Sequence, residues 1–295
     1  MICSVRNRGA IIIGNPTAGG ARREGLLVRC VEILSSGGLD VEVWPTEGPQ
    51  HATKMAEKAG VRLVIAAGGD GTINEVVNGL EKDATLGILP LGTVNVLARE
   101  LGLPLKAEAA CEHILTGKES RIDLGVATNR EGVERRFTCM AGVGFDAHVV
   151  YAVTPRLKRY LKVPAFPLMA LKVYLERTLP TLHIVHDDTT YLTQFAIVAN
   201  GHYYGGNFRV AEAASLTTGS LEVVLVDSVS KLLRPGVLAH ILTKKPLSQF
   251  MRSFATRELC AKAPGNKVPV QLDGELWGRL PMSFRIEPAT LKVIR

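Results

Sequence analysis

The chain has 295 residues, of which 46% are hydrophobic and 21% charged, with a formal net charge of +7. This length suffices for two ordinary domains, and the composition excludes a disordered or fibrous chain. The positive charge points either to anionic partners such as a nucleotide or the inner leaflet of a membrane or to a merely basic, soluble surface. No block of like charges marks a nucleic-acid tail, so nucleic acid is not expected.

The start, MICSVRNRGAIII, carries basic residues but no apolar stretch of signal-peptide length. No run of about 18 uncharged apolar residues follows, so a transmembrane helix is not expected. The cysteines Cys3, Cys30, Cys111, Cys139 and Cys260 are odd in number, dispersed and never spaced as CxxC. They read as reduced thiols of a cytoplasmic protein. Nothing in the chain sets an oligomeric state.

In chain order, GAIIIGNP, DVEVWPT, RLVIAAGG and ATLGILPLG read as buried strands, with helical spacing between them at 25–36, 51–59 and 72–80. Alternating strands and helices predict a parallel, doubly wound sheet, whose ligands sit at the carboxyl ends of the strands. Three glycine-rich turns fall at such ends. IIIGNPTAGGARR offers Asn15, Gly19 and Gly20, but Gly20 and Ala21 stand where a P-loop needs Lys and Ser/Thr, so this is not a Walker-type NTPase. ILPLGTVNVLARELGLP places Gly92 and Thr93 at a helix start, with Gly102 as its C-cap and Pro104 as its stop. In LVIAAGGDGTINEVVNGL, Thr72 and Glu75 have the spacing of a capping box, and Ile73, Val76, Val77 and Leu80 form one apolar face. Asp70 lies inside this third turn. It is either an Asx-turn residue or a carboxylate that meets a magnesium ion bridging bound phosphates. Three such turns in one domain make the phosphates of a nucleotide the best ligand.

From RIDLGVA onward short strands dominate: ERRFTCMAGVG, TLHIVHD, TTYLTQFAIVANG, SLEVVLVDS, RELCAKA, VPVQLDGELWG and MSFRIEPATLKVIR. They predict an antiparallel sandwich or barrel, interrupted by one helical segment, LKRYLKVPAFPLMALKVYLERTL. Over 156–177, Arg156, Lys158, Arg159 and Lys162 flank an apolar run. Such a segment either lies on an anionic membrane surface or packs as a core helix. AGVGFDA has G-x-G-x-x-A spacing, but without a βαβ unit it does not mark a dinucleotide site. Asp273 and Glu275 flank Gly274 in VQLDGELWG. They form a turn with solvated acids, or they supply a general base for an attacking hydroxyl.

Taken in order, NPTAGG, GGDGTINEVVNG, PLGTVN, GFDA, YGGNF and DGE resemble the bacterial diacylglycerol kinase-like lipid kinases. The resemblance spans nearly the whole chain. It implies an α/β ATP-binding domain at 1–126 completed by 286–295, and a β-sandwich lipid-substrate domain at 127–285. ATP with Mg2+ and a lipid alcohol would be the ligands, at the periphery of an anionic membrane surface. By match to the family's motifs, Asn15, Pro16, Thr17, Ala18, Gly19, Thr46, Gly68, Gly69, Asp70, Gly71, Thr72, Ile73, Asn74 and Thr93 would contact ATP. Glu275 would accept the proton, Asp70 would be a catalytic carboxylate near the phosphates and magnesium, and Asp123 matches a further family acid.

Two departures stand out. Val96 replaces an acid that many relatives carry after GT-x-N, and Thr218, between Ser215 and Ser220, replaces the acidic ligand of an accessory magnesium site. A neutral hydroxyl is a poor ligand for a hard dication, so that site is expected to be weak or absent. The function implied is ATP-dependent phosphorylation of a lipid hydroxyl. A kinase for a soluble substrate such as NAD and a nucleotide-binding regulator without catalysis are the competing readings. The presence of both Asp70 and Glu275 argues against the regulator.

Overall fold

The apolar runs at Gly9–Gly14, Leu63–Gly68 and Thr85–Pro90 become strands buried on both faces, beneath helices formed by the stretches between them. The run Asp40–Pro45, also expected to be buried, is an edge strand with no buried residue. The computed structural model describes residues 9–14, 21–152, 165–176, 179–206, 208–230, 236–237, 240, 243 and 250–295. It divides into two compact units, Met1–Asp123 with Ala289–Arg295, and Leu124–Pro288.

In the first unit the order of elements is β1 (Gly9–Gly14), α1 (Ala21–Ser36), β2 (Asp40–Pro45), α2 (His51–Lys58), β3 (Leu63–Gly68), α3 (Asp70–Gly79), β4 (Thr85–Pro90), α4 (Val96–Glu100) and α5 (Ala107–Thr116). The strands pair in parallel in the order β2-β1-β3-β4. Leu27, Cys30 and Leu34 of α1 and Ala107, Cys111 and Ile114 of α5 pack on Ile12, Ile65 and Leu89. The alternate strand residues Ile11, Ile13 and Val64 are equally buried, as are Ala52 and Ala56 of α2 and Ile73, Val76 and Val77 of α3. Helices on both faces explain why these strands read as continuous apolar runs. Each fully buried Ile or Leu contributes roughly 1.5–3 kcal/mol to holding the layers. The short α4 ends in a Schellman motif, with Gly102 at φ 69°, Leu103 N–H donating to Ala98 O and Gly102 N–H to Arg99 O.

The second unit contains β5 (Glu119–Asn129, shared with the first), β6 (Glu134–Phe137), β7 (Met140–Gly144), α6 (Phe145–Ala152), α7 (Ala165–Glu176), β8 (Leu182–His186), β9 (Thr189–Thr193), β10 (Phe195–Ala199), β11 (Tyr203–Tyr204), β12 (Phe208–Arg209), β13 (Leu221–Val226), β14 (Arg252–Thr256), β15 (Glu258–Lys262), β16 (Pro269–Leu272), β17 (Glu275–Arg279) and β18 (Met282–Ile294). One antiparallel sheet has the order β14-β13-β10-β7-β16-β17. The strands β18, β15, β8 and β9 pair antiparallel in that order, and β5 pairs with β6. Phe137, Ile184, Leu259 and Phe284 meet Val143, Val198, Val223 and Val270 in the core between these two layers. The outer face of β10 and β13 is buried as well, beneath Phe145 and Val149 of α6 and Val173 of α7. The architecture is an N-terminal α/β unit and a C-terminal antiparallel β unit, the fold class expected from the sequence. The last strand, β18, returns to the first unit. Lys292 and Val293 pair in parallel with Thr85 and Leu86, and Arg295 exchanges two backbone hydrogen bonds with Lys118.

One further sequence expectation needs correction. α6 was not expected: FDAHVVYA carries five consecutive buried residues, Phe145 to Val149, and so has no amphipathic period. The segment expected as a membrane-surface or core helix is described from Ala165 onward, as α7. α7 buries Val173 and leaves Leu171 and Leu175 48% and 72% exposed, one turn apart. Arg156, Lys158, Arg159 and Lys162 lie outside the described residues.

Candidate active site

Among the predicted phosphate-contacting positions of the first unit, Asn15, Pro16, Thr17, Ala18 and Gly19 lie outside the described residues. The others surround two neighbouring loops. β3 ends at Gly68, Gly69 is extended at φ −93° and ψ −173°, and α3 begins at Asp70 with no side chain capping its start. This start corrects the expected capping box. Thr72 lies inside the first turn, and Glu75 Oε2 accepts instead from the backbone N–H of Ala52 at 3.2 Å. Thr53 Oγ1 also donates to Glu75 O at 2.9 Å, so Glu75 serves the start of α2. The first turn of α3, which includes Gly71 and Thr72, is thereby left as an uncapped helix end, the arrangement that binds anions. Ile73 and Asn74 are each 1% exposed, so their side chains belong to the core.

Asp70 is held by partners far away in the chain, not by the local bond of an Asx-turn. Its Oδ1 accepts from Val96 N–H at 2.6 Å and its Oδ2 from Asn95 N–H at 3.1 Å. The carboxylate thus caps α4 from across the two loops and welds GGDG to GTVN. Asn95, at φ 53°, completes the weld, since its Oδ1 accepts from Gly92 N–H at 2.9 Å and its Nδ2 donates to Gly92 O at 3.0 Å. A Cβ on Gly92 would stand 2.5 Å from Gly69 Cα. These glycines therefore let the loops touch, whatever else they admit. Thr93 is exposed at the tip of the second loop, and Thr46, just past β2, donates its N–H to Gly14 O at 2.8 Å.

The donor set fits magnesium in one limited way. Asp70 offers two carboxylate oxygens, the ligand type that a hard cation takes. Mg2+ needs few protein ligands when substrate phosphates supply the rest. Among the described residues no group of three or more His, Cys, Asp or Glu forms an all-protein cage.

In the second unit, Asp273 and Gly274 have φ 49° and 86° and join β16 to β17 as a two-residue Asp-Gly hairpin turn. Positive φ at both positions is the type I′ geometry that matches strand twist. Asp273 is no solvated acid. Its Oδ2 accepts from Thr138 N–H and Thr138 Oγ1 at 2.6 and 2.9 Å, and its Oδ1 from Cys139 and Met140 N–H at 2.9 and 3.0 Å. Gly274 N–H donates to Gln271 Oε1 at 2.6 Å, which orients the amide so that Gln271 Nε2 donates to Asp146 Oδ2 at 2.7 Å. Tyr204 Oη donates to the other oxygen of Asp146. Burial pushes the Asp146 carboxyl above its ordinary range against the lowering effect of these two donors, and burial raises the Tyr204 hydroxyl as well. Glu275, first residue of β17, pairs with Arg135 Nη2 through Oε2 at 2.8 Å.

The two remaining predicted positions have structural partners. Asp123 is buried, and its Oδ1 accepts from Ala289 N–H at 2.7 Å, where β18 kinks through φ 50°. Thr218 Oγ1 donates to Ser215 O at 3.1 Å and Ser220 O at 3.3 Å, so the hydroxyl links the two carbonyls that an accessory cation would share. Sequence reasoning did not single out Asn95, Arg135, Gln271 or Tyr204 by role. An asparagine two residues after Gly-Thr is a signal for a left-handed cap. No local signal marks the other three, whose partners lie in distant strands.

A family model described as the diacylglycerol kinase catalytic domain matches residues 9–127. A second, described as the YegS C-terminal NAD kinase beta sandwich-like domain, matches residues 139–295. A diacylglycerol kinase of Staphylococcus epidermidis is 28% identical over 289 residues, covering 93% of this chain and 88% of its own. One of Bacillus subtilis is 28% identical over 286 residues, covering 93% and 92%. Among solved structures, a diacylglycerol kinase from Bacillus anthracis superposes with a TM-score of 0.78 at 24% identity, over 97% of this chain and 96% of that one. An NAD kinase from Archaeoglobus fulgidus in complex with ATP gives 0.51 at 13%, over 97% and 93%. These last two likenesses show the fold. With the two matched regions following one another along almost the entire sequence, the chain belongs to the bacterial diacylglycerol kinase-like family of lipid kinases.

Proposed function

We propose that the protein transfers the γ-phosphoryl group of ATP to the hydroxyl of a lipid alcohol such as diacylglycerol. The observation that carries this reading is the anchored DGE turn, which presents a 40% exposed carboxylate, Glu275, from a backbone held by Asp273 and Gly274. Glu275 takes the hydroxyl proton as the acceptor oxygen bonds to the γ-phosphorus and the bond to the departing ADP breaks. The proton then leaves to water. The uncapped first turn of α3 and the loop at Thr93 bind the phosphates, with Thr46 and residues 15–19 as further contacts. Mg2+, held by Asp70 and the ATP phosphates, would neutralise charge on the transferred group. Asp123 serves by fixing β18 at Ala289, so we place it as support.

A peripheral position at the inner face of the membrane, with the protein in the cytoplasm, fits the exposed Leu171 and Leu175 and the positive net charge. Among the described residues no helix is long and apolar enough to cross a membrane. The test is incubation with γ-labelled ATP and diacylglycerol, sphingosine or ceramide in mixed micelles, beside NAD in solution. Label in a lipid phosphate is expected. Label in NADP with none in lipid would overturn the lipid assignment.

A further inference from the structure

We propose that Arg135 is a positioning residue for phosphoryl transfer, acting through the side chain of Glu275. This rests on the reading of Glu275 as proton acceptor. Successive residues of a strand point to opposite faces, and β6 uses this alternation to send two arginines to two carboxylates. Arg136 reaches Glu287 on β18 at 3.1 Å, and Arg135 reaches Glu275 on β17 at 2.8 Å.

The two members of the second pair differ in exposure. The Arg135 side chain is 17% exposed and that of Glu275 40%, so the cation is a fixed anchor and the carboxylate is its open partner. Holding the fold is a poor account of this contact. Ion pairs with an open member add little to stability, and the backbone at Glu275 is already set by the Asp-Gly turn and the four bonds to Asp273. What the turn does not set is the glutamate side chain, whose rotamers stay free unless a partner holds them. Arg135 removes that freedom. It engages Oε2, and among the described residues Oε1 has no hydrogen-bond donor, which leaves it for the hydroxyl proton.

Steady-state kinetics with ATP and diacylglycerol micelles test this on Arg135→Gln, Arg135→Lys, Glu275→Gln and the Arg135→Gln/Glu275→Gln double variant. Misaiming a catalytic group by about 1 Å costs up to about 100-fold. Arg135→Gln is therefore expected to lower kcat about 10- to 100-fold with KM for ATP and the thermal midpoint unchanged. Arg135→Lys, which keeps the charge but not the planar fork, should recover part of the rate. In the Glu275→Gln background the Arg135→Gln change should cost little more, because both act through one carboxylate. Full kcat in Arg135→Gln alongside an inactive Glu275→Gln would overturn the proposal and leave the base in place. Multiplicative losses in the double variant would overturn it too. Full activity in Glu275→Gln would instead remove the base and Arg135 with it.

Discussion

Asp273→Asn is the sharpest perturbation of the DGE turn, because it changes hydrogen bonding while sparing the backbone. Asparagine accepts φ 49° at least as readily as aspartate, and Asn-Gly is a preferred type I′ pair. The carboxylate accepts from Thr138 N–H and hydroxyl on one oxygen and from Cys139 and Met140 N–H on the other. Asparagine keeps one oxygen, best spent on the Cys139–Met140 pair. Its amide nitrogen then faces Thr138, whose hydroxyl can rotate and accept but whose backbone N–H is left without an acceptor. An orphaned donor costs about 1–3 kcal/mol, and the retained bonds lose their charge assistance, so the expected loss is about 2–4 kcal/mol. Trp277, on β17, and Trp44 are the only two tryptophans, so Trp44→Phe leaves a reporter four residues from the mutation. Urea unfolding followed by Trp277 fluorescence should show a lower midpoint at unchanged slope. A loss below about 0.5 kcal/mol would refute the assignment of Asp273 as the anchor of the turn.

Asp146→Asn should alter the pH dependence of stability. Burial raises the carboxyl in the folded state, so its contribution is fully present below the unfolded carboxylate range near pH 4 and is lost as pH rises through the folded value. The variant should lack that decline in denaturation midpoints, and an unchanged profile would contradict the burial argument. Thr218→Asp should create a cation site with the carbonyls of Ser215 and Ser220, read as a magnesium- or calcium-dependent rise in thermal midpoint that the wild type lacks. Glu75→Gln should cost about 1 kcal/mol of stability by weakening the bond to Ala52 N–H at the start of α2, with nucleotide binding retained. Loss of nucleotide binding without loss of stability would contradict the assignment of Glu75 to the start of α2.

The two-part fold was legible because its signals are local: apolar runs ending in glycine or proline, and a later change to alternating short strands. The Asp-Gly turn was legible for the same reason. Long-range partners were not. The T-x-x-E spacing at Thr72 is a fair helix-start signature, but Glu75 is claimed by α2, 23 residues back in the chain. Asp70 drew attention as an acid among glycines, yet its bonds to Asn95 and Val96 depend on how two loops fold together. Val96 illustrates the limit well, since Asp70 holds its backbone N–H, which no side-chain pattern marks. The pairing of Arg135 with Glu275 spans 140 residues, and no spacing rule reaches that far.

The account stands most directly on Glu275. Single-turnover transfer from γ-labelled ATP to diacylglycerol, with ATP affinity measured in parallel, separates chemistry from binding. Glu275→Gln keeps the shape of the side chain and removes its basicity. It should bind ATP as the wild type does and transfer phosphate about 100- to 10,000-fold more slowly. Transfer at the wild-type rate with intact ATP binding would contradict the central claim.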